Sequence, residues 1–398
     1  MNLTLRQKFS QYFSAIQEEL IPQLAKELGP LTNQMVAVVR ALEIARIEEF
    51  VDRRWMGIGR PPRDRLALAR GFIAKAVLNL KTTEALRERL QMDRQLQRIC
   101  GFDTRKAIPD ASIFSRAFAE MARGRVGERC HQALIAATLS DQLIGHITRD
   151  ATAIEARERP KCHRKHKRPS KVIDLTKVKA RQAELVKAEA VATVPADTPL
   201  DKPGRGRPKK GEARPAPPLT RLQQQREQSL ATMLDALPKE CDRGSKCNAQ
   251  GYKNSWNGYK LHFDVADGGI PVSVILTSAS VHDSQVAIPL ATMTAQRVTS
   301  LYDVMDAAYC STEISEHSVK LGHVPLIDHN PRGGEKREFD YAQKVRYKIR
   351  TQSERANARL KDEFGANNLF VRGEQKVMAH LMFGVLALTV DQLLRLMT

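Results

Sequence analysis

The 398-residue chain is poor in cysteine, in uninterrupted apolar runs and in acidic charge. Its six cysteines (Cys100, Cys130, Cys162, Cys241, Cys247 and Cys310) are widely scattered, so no disulfide framework is implied and a reducing compartment is expected. Residues 1–11 contain no apolar core of the kind a secretory signal needs, so export is not expected. The longest apolar stretch, Met378 to Met397, carries His380, Asp391, Gln392 and Arg395. Such residues are costly in lipid, so this stretch is expected to be a packed helix and no membrane partner is expected. Acids number 45 against 64 Lys and Arg, a net charge of +19, which points to a polyanionic partner, nucleic acid first.

What is present is globular: 42% hydrophobic and 27% charged residues support a core, and the length suits two or three domains. From about Leu3 to Gln142 the apolar spacing is helical. Leu66, Ala69, Phe72, Ile73, Ala76, Val77 and Leu80 follow the i, i+3, i+4, i+7 pattern after Pro61-Pro62. A stop is expected at Asn79 to Thr83, with Thr82 or Thr83 capping a helix from Glu84 to Gln91. The pair reads either as ordinary bundle packing or as a helix-turn-helix.

Between Arg157 and Arg214 the charge is +11, more than half of the chain's total, among Pro-rich pieces and one helix-like run, Thr176 to Ala190. The stretch reads as a partly flexible basic insertion with little core of its own. Within it, Gly204-Arg205-Gly206-Arg207-Pro208-Lys209-Lys210 resembles an AT-hook. A narrow backbone there would let Arg205 and Arg207 enter an A/T minor groove, with Lys209 and Lys210 alongside; a solvated basic linker is the plain alternative. Cys162 with His166 and Cys241 with Cys247 match no common zinc spacing.

After Gly251 the period becomes two. Tyr259, Leu261, Phe263 and Val265 alternate with polar residues, Asp267-Gly268-Gly269 turns the chain, and Val272, Val274 and Leu276 alternate again, which predicts a β-hairpin with one covered face. A helix (284–297), a strand (301–305), a helix (311–321), a strand (324–328) and helices from Asp340 onward follow. A mixed sheet flanked by helices is therefore expected, an α+β class fold.

The most informative segment is Tyr347-x2-Arg350-x3-Glu354-x6-Lys361. On one helix at about 100° per residue these four fall within an arc of roughly 60°, with Val345, Ile349, Ala356 and Leu360 on the opposite side. The plain alternative is a solvated charged face with an Arg350–Glu354 bridge. A glutamate among cations suits a site for divalent metal and phosphate, but a metal pair needs more carboxylates. Two candidates stand where apolar strands run out into small residues, Asp150 before Ala151-Thr152 and Asp306 before Ala307-Ala308-Tyr309. Singly, each reads as a turn or cap residue as readily as a ligand.

With these three acids in their contexts the chain resembles the bacterial insertion-sequence transposases of the DDE class, in the branch marked by the Tyr-Arg-Glu-Lys helix (families four and five), from about Arg60 to the end. The run from Gly59 to Arg116 is similar to the helical domain preceding the catalytic domain in many such enzymes. The resemblance implies a helical N-terminal domain (1–142) binding transposon ends and an RNase H-like catalytic domain (143–398) interrupted by a basic insertion (156–250). Asp150 would close the first strand, Asp306 the fourth, and Glu354 sit on a later helix. It further implies two Mg²⁺ ions, with Mn²⁺ as an alternative, held by Asp150, Asp306 and Glu354, and phosphate contacts from Tyr347, Arg350 and Lys361. The implied activity is cleavage at the element's ends and strand transfer to target DNA, with double-stranded DNA as partner, a homodimer in the synaptic complex and a cytoplasmic, nucleoid-associated location. A DNA-binding regulator derived from a transposase and a plain RNase H-like nuclease are the rivals. Asp283 is expected as a helix N-cap and Trp256 as strand-edge packing, with base stacking as its alternative.

Overall fold

The computed structural model describes residues 11, 13–52, 63–160, 219–247, 250–331, 335 and 337–397. The described residues up to 160 and from 220 onward belong to one compact unit. Arg205, Arg207, Lys209 and Lys210 lie outside the described residues, as do Cys162, His166, the run 176–190 and residues 59–62.

The N-terminal part is helical, with α1 (Ile21–Leu28), α2 (Asn33–Ala45), α3 (Arg65–Val77), α4 (Thr83–Met92), α5 (Arg94–Cys100), α6 (Ala111–Arg123) and α7 (Val126–Leu139). Helix starts follow local chemistry: Thr82 Oγ1 accepts from Ala85 N at 3.0 Å, and Asp93 Oδ1 from Leu96 N at 3.1 Å. Each satisfies an amide that the first helical turn leaves open. α3 and α4 bury Leu68, Phe72, Leu86 and Leu90. Phe72 meets Phe114 and Phe118 edge-on and also Phe383, so these helices share a core with the C-terminal helix.

The sheet comprises β1 (Leu143–Glu155), β2 (Asp242–Cys247), β3 (Lys253–Ala266), β4 (Ile270–Ser278), β5 (Thr299–Met305) and β6 (Val324–Ile327). β1 lies between β3, antiparallel, and β5, parallel, with β6 parallel beyond β5. β2 and β4 pair with successive lengths of β3, Lys253–Gly258 and Tyr259–Ala266. The hairpin turns at Asp267–Gly269 as expected. Residues 220–247 build α8 (Arg221–Gln225), α9 (Leu230–Ala236) and β2 within this unit.

The hairpin has two covered faces, not one. Tyr259, Leu261, Phe263 and Val265 join the main core, and the polar face, His262, Asp264, Ser273 and Thr277, is buried as well. Alternation reads as solvent exposure only when nothing covers the polar side; here α10 (Ser284–Ala295) does, and His262 Nε2 lies 2.9 Å from Thr277 Oγ1. Arg149, directly opposite Asp264, donates Nε to Oδ1 and Nη2 to Oδ2, both at 2.7 Å, and Thr294 Oγ1 of α10 donates to Oδ2 at 2.6 Å.

The remaining helices are α11 (Thr312–Lys320), α12 (Tyr341–Tyr347), α13 (Thr351–Asp362) and α14 (Glu374–Arg395). α14 is long and apolar enough to cross a membrane by composition alone, yet 72% of its most apolar window is buried in the fold, as expected for the 378–397 stretch. Gly384, midway along it, lies close against the segment that follows α13: a Cβ there would stand 2.6 Å from Phe364 O. Backbone cannot yield as a flexible side chain can, so Gly384→Ala is expected to cost about 1–3 kcal/mol. A fall in melting temperature by circular dichroism checks this.

Candidate active site

The pairing of β1 with β5 ends at Arg149 and Met305, and that of β5 with β6 at Met305 and Ile327. The next residue on each strand is an aspartate: Asp150, Asp306 and Asp328. Neighbouring strands lie about 4.8 Å apart, so the carboxyl end of the parallel strands presents three acids in a row. Asp150 does not close β1 as expected; the strand outruns β5 and continues against β3 to Glu155. Asp306 follows the fifth strand in chain order, since β2 precedes it.

Across from this row stands the Tyr-Arg-Glu-Lys segment. It is not one regular helix: Tyr347 ends α12, Lys348–Arg350 tighten into a 3₁₀ turn, and Glu354 and Lys361 lie on α13. The expected apolar side holds where α13 packs, at the buried Ala356 and Leu360; Ile349 is half-buried and Val345 is exposed. All four motif residues nevertheless line one open cleft of 570 Å³ with Asp150, Asp306 and Asp328.

The walls are tied by specific bonds. Asn357 Nδ2 donates to Asp150 Oδ2 at 2.9 Å, Ala308 N to Asp306 Oδ1 at 2.9 Å, and Arg350 Nη2 to Glu354 Oε1 at 2.6 Å. Burial pushes the Asp150 carboxyl up to about 6 and raises that of Asp306 as well, each carboxylate also feeling negative neighbours. Burial likewise pushes the Tyr347 hydroxyl up to about 12 and lowers the Lys361 ammonium. Hard oxygen donors with too little countercharge are the donor set that Mg²⁺ or Mn²⁺ takes. Glu354 is engaged by Arg350, and among the described residues no three His, Cys, Asp or Glu side chains stand together as metal ligands.

Two family models match this chain, one described as Transposase DDE domain, over residues 220–390, and one as Transposase domain (DUF772), over residues 24–120. The chain belongs to the insertion-sequence DDE transposases. The DDE match contains Asp306 and Glu354 and begins after Asp150; the second runs from within α1 to within α6 of the transposase. The mixed sheet flanked by helices agrees with the RNase H-like fold expected for it. No curated protein and no solved structure matches the chain.

Three polar cleft residues of the transposase escape the sequence motifs: Asp328, Asn357 and Lys246. Asp328 carries a readable signal, since it repeats the strand-then-aspartate pattern of Met305-Asp306 at Ile327-Asp328. Asn357 lies one helical turn beyond Glu354, while nothing local marks Lys246. The structure decides two other expectations. Asp283 does not cap α10: its backbone is helical, it makes no side-chain cap bond, and it pairs with Lys260 Nζ at 2.9 Å, while His282 Nδ1 accepts from Ser284 N at 3.3 Å. Trp256 sits in β3 opposite Gly244 of β2 and donates Nε1 to Tyr259 O at 3.1 Å, a strand-packing role.

Proposed function

We propose that this transposase cuts the ends of its own insertion sequence and joins them to target DNA in the cleft between the aspartate row and α13. The observation that carries this is the register: Asp150 and Asp306, far apart in the chain, stand on adjacent strands where their pairing ends, facing Glu354. Two Mg²⁺ ions, or Mn²⁺, held by Asp150, Asp306 and Glu354 would supply Lewis acidity to the attacking and departing oxygens of an in-line displacement. The chain's own residues do the rest. Arg350 and Lys361 hold phosphates flanking the scissile bond, Tyr347 donates its hydroxyl to another, and Asn357 fixes the Asp150 carboxylate. Hydrolysis frees a 3′-hydroxyl, which then replaces water as nucleophile on target DNA.

Residues 1–142 would bind the transposon ends, the basic run with Arg205, Arg207, Lys209 and Lys210 would add phosphate contacts, and two copies would synapse the ends. The direct test is incubation with the DNA flanking the transposase's own gene and Mg²⁺; cuts at the repeat ends are expected, and intact DNA would overturn the reading. Arg350→Ala and Lys361→Ala are expected to slow end cleavage about a hundredfold, because small misplacements of reacting atoms cost that much. Their melting temperatures should hardly move, since an exposed i,i+4 pair contributes only about 0.3–0.5 kcal/mol. Early melting with normal cleavage would show that this face is structural.

A further inference from the structure

Lys246 belongs to β2, and β3 lies between β2 and β1, yet Lys246 lines the acid cleft beside Asp150 and Lys361. The route is the far length of β3. Glu155 pairs with Gly258, Ala156 N still donates to Asn257 O at 2.9 Å, and beyond that Lys253–Trp256 continue paired with β2. Gly258 is the junction: its φ is +153°, and a Cβ there would stand 2.1 Å from Ile154 O, so no other residue fits where the ribbon leaves the sheet. Beyond it the ribbon presents Arg243, Ser245, Lys246, Lys253, Asn254, Ser255 and Asn257 to solvent. Its one acid, Asp242, is half-buried and accepts from the Arg243 amide at 2.7 Å.

We propose that the β2–β3 ribbon is a DNA-gripping arm whose Lys246 holds a backbone phosphate of the strand in the acid cleft, together with Arg350 and Lys361. This rests on the reading of the cleft above and adds a third wall to it. Charge complementarity identifies the occupant: exposed cations with amide and hydroxyl donors match phosphate and sugar oxygens, and a two-stranded ribbon is narrow enough to follow a groove. Lys246 also tempers the acids electrostatically, being among the cations that lower Asp150 and Asp306. A merely tempering role would leave the ionic component of DNA binding unchanged, which makes the two separable.

The test measures binding of the full chain to a fluorescent duplex carrying the element end, in metal-free buffer across a salt series. Lys246→Ala is expected to make the slope of log affinity against log salt shallower by about 0.9, the value for one lost phosphate contact. Lys246→Arg should restore the slope, and Lys320→Ala, an exposed change on α11, should leave it as in the wild type. An unchanged slope for Lys246→Ala overturns the arm, as does a slope that Lys246→Arg fails to restore. If the wild type does not cut in Mg²⁺, the chemistry proposed for the cleft falls, while the slopes still decide whether Lys246 holds phosphate.

Discussion

Asp150→Asn is expected to abolish end cleavage while leaving the transposase as stable as before, or more so. Burial opposes the charge on Asp150 and pushes its pKa up to about 6, so at neutral pH the ionised carboxylate costs folding free energy. Asparagine removes that charge and keeps an oxygen that can accept from Asn357 Nδ2, now at 2.9 Å. Removing one group that stabilises developing charge typically costs about 10²–10³ in rate, and a shared ligand should cost at least as much. A melting temperature equal to or up to about 2 °C above the wild type is expected, on the scale where 1 kcal/mol moves a large domain by a few degrees. Asp306→Asn and Glu354→Gln should match it in cleavage, with DNA binding retained in all three. The assay is cleavage of end DNA in Mg²⁺, read beside binding and thermal melting; wild-type rates in any of the three would remove that residue from the triad.

Arg149→Met is expected to be the most destabilising single change, by about 3–5 kcal/mol. The guanidinium and the Asp264 carboxylate are both buried, with side chains 1% and 0% exposed, and are joined by two bonds of 2.7 Å. Removing the cation strands an anion beneath α10 with Thr294 as its remaining side-chain hydrogen-bond partner among the described residues, and a buried charge without a close counterion costs several kcal/mol. The double variant Arg149→Met/Asp264→Leu should recover much of the loss, because the pair's desolvation disappears with it. Arg149 also precedes Asp150 on β1, with its side chain toward α10 while that of Asp150 bonds Asn357 of α13, so the pair anchors the strand that presents the first acid. Urea titration of the three proteins checks this; a single variant as stable as the wild type would show that the pair contributes nothing.

Much of this molecule is legible in short stretches of chain. The Thr82 cap, the Asp267-Gly268-Gly269 turn and the 3.6 and 2.0 periodicities all depend on residues a few positions apart, where backbone geometry alone fixes who meets whom. The tertiary structure decided what depends on distant pairing. It placed Asn357 against Asp150 across 207 residues and Arg149 against Asp264 across 115, and it covered a hairpin face whose alternation suggested solvent. It turned Asp283 from a helix cap to a partner of Lys260 and added Asp328 and Lys246 to the cleft. Local preferences carry no information on which strands become neighbours. That choice is made when apolar faces are buried and loop entropy is spent, and only then do separate strand ends come to share one site.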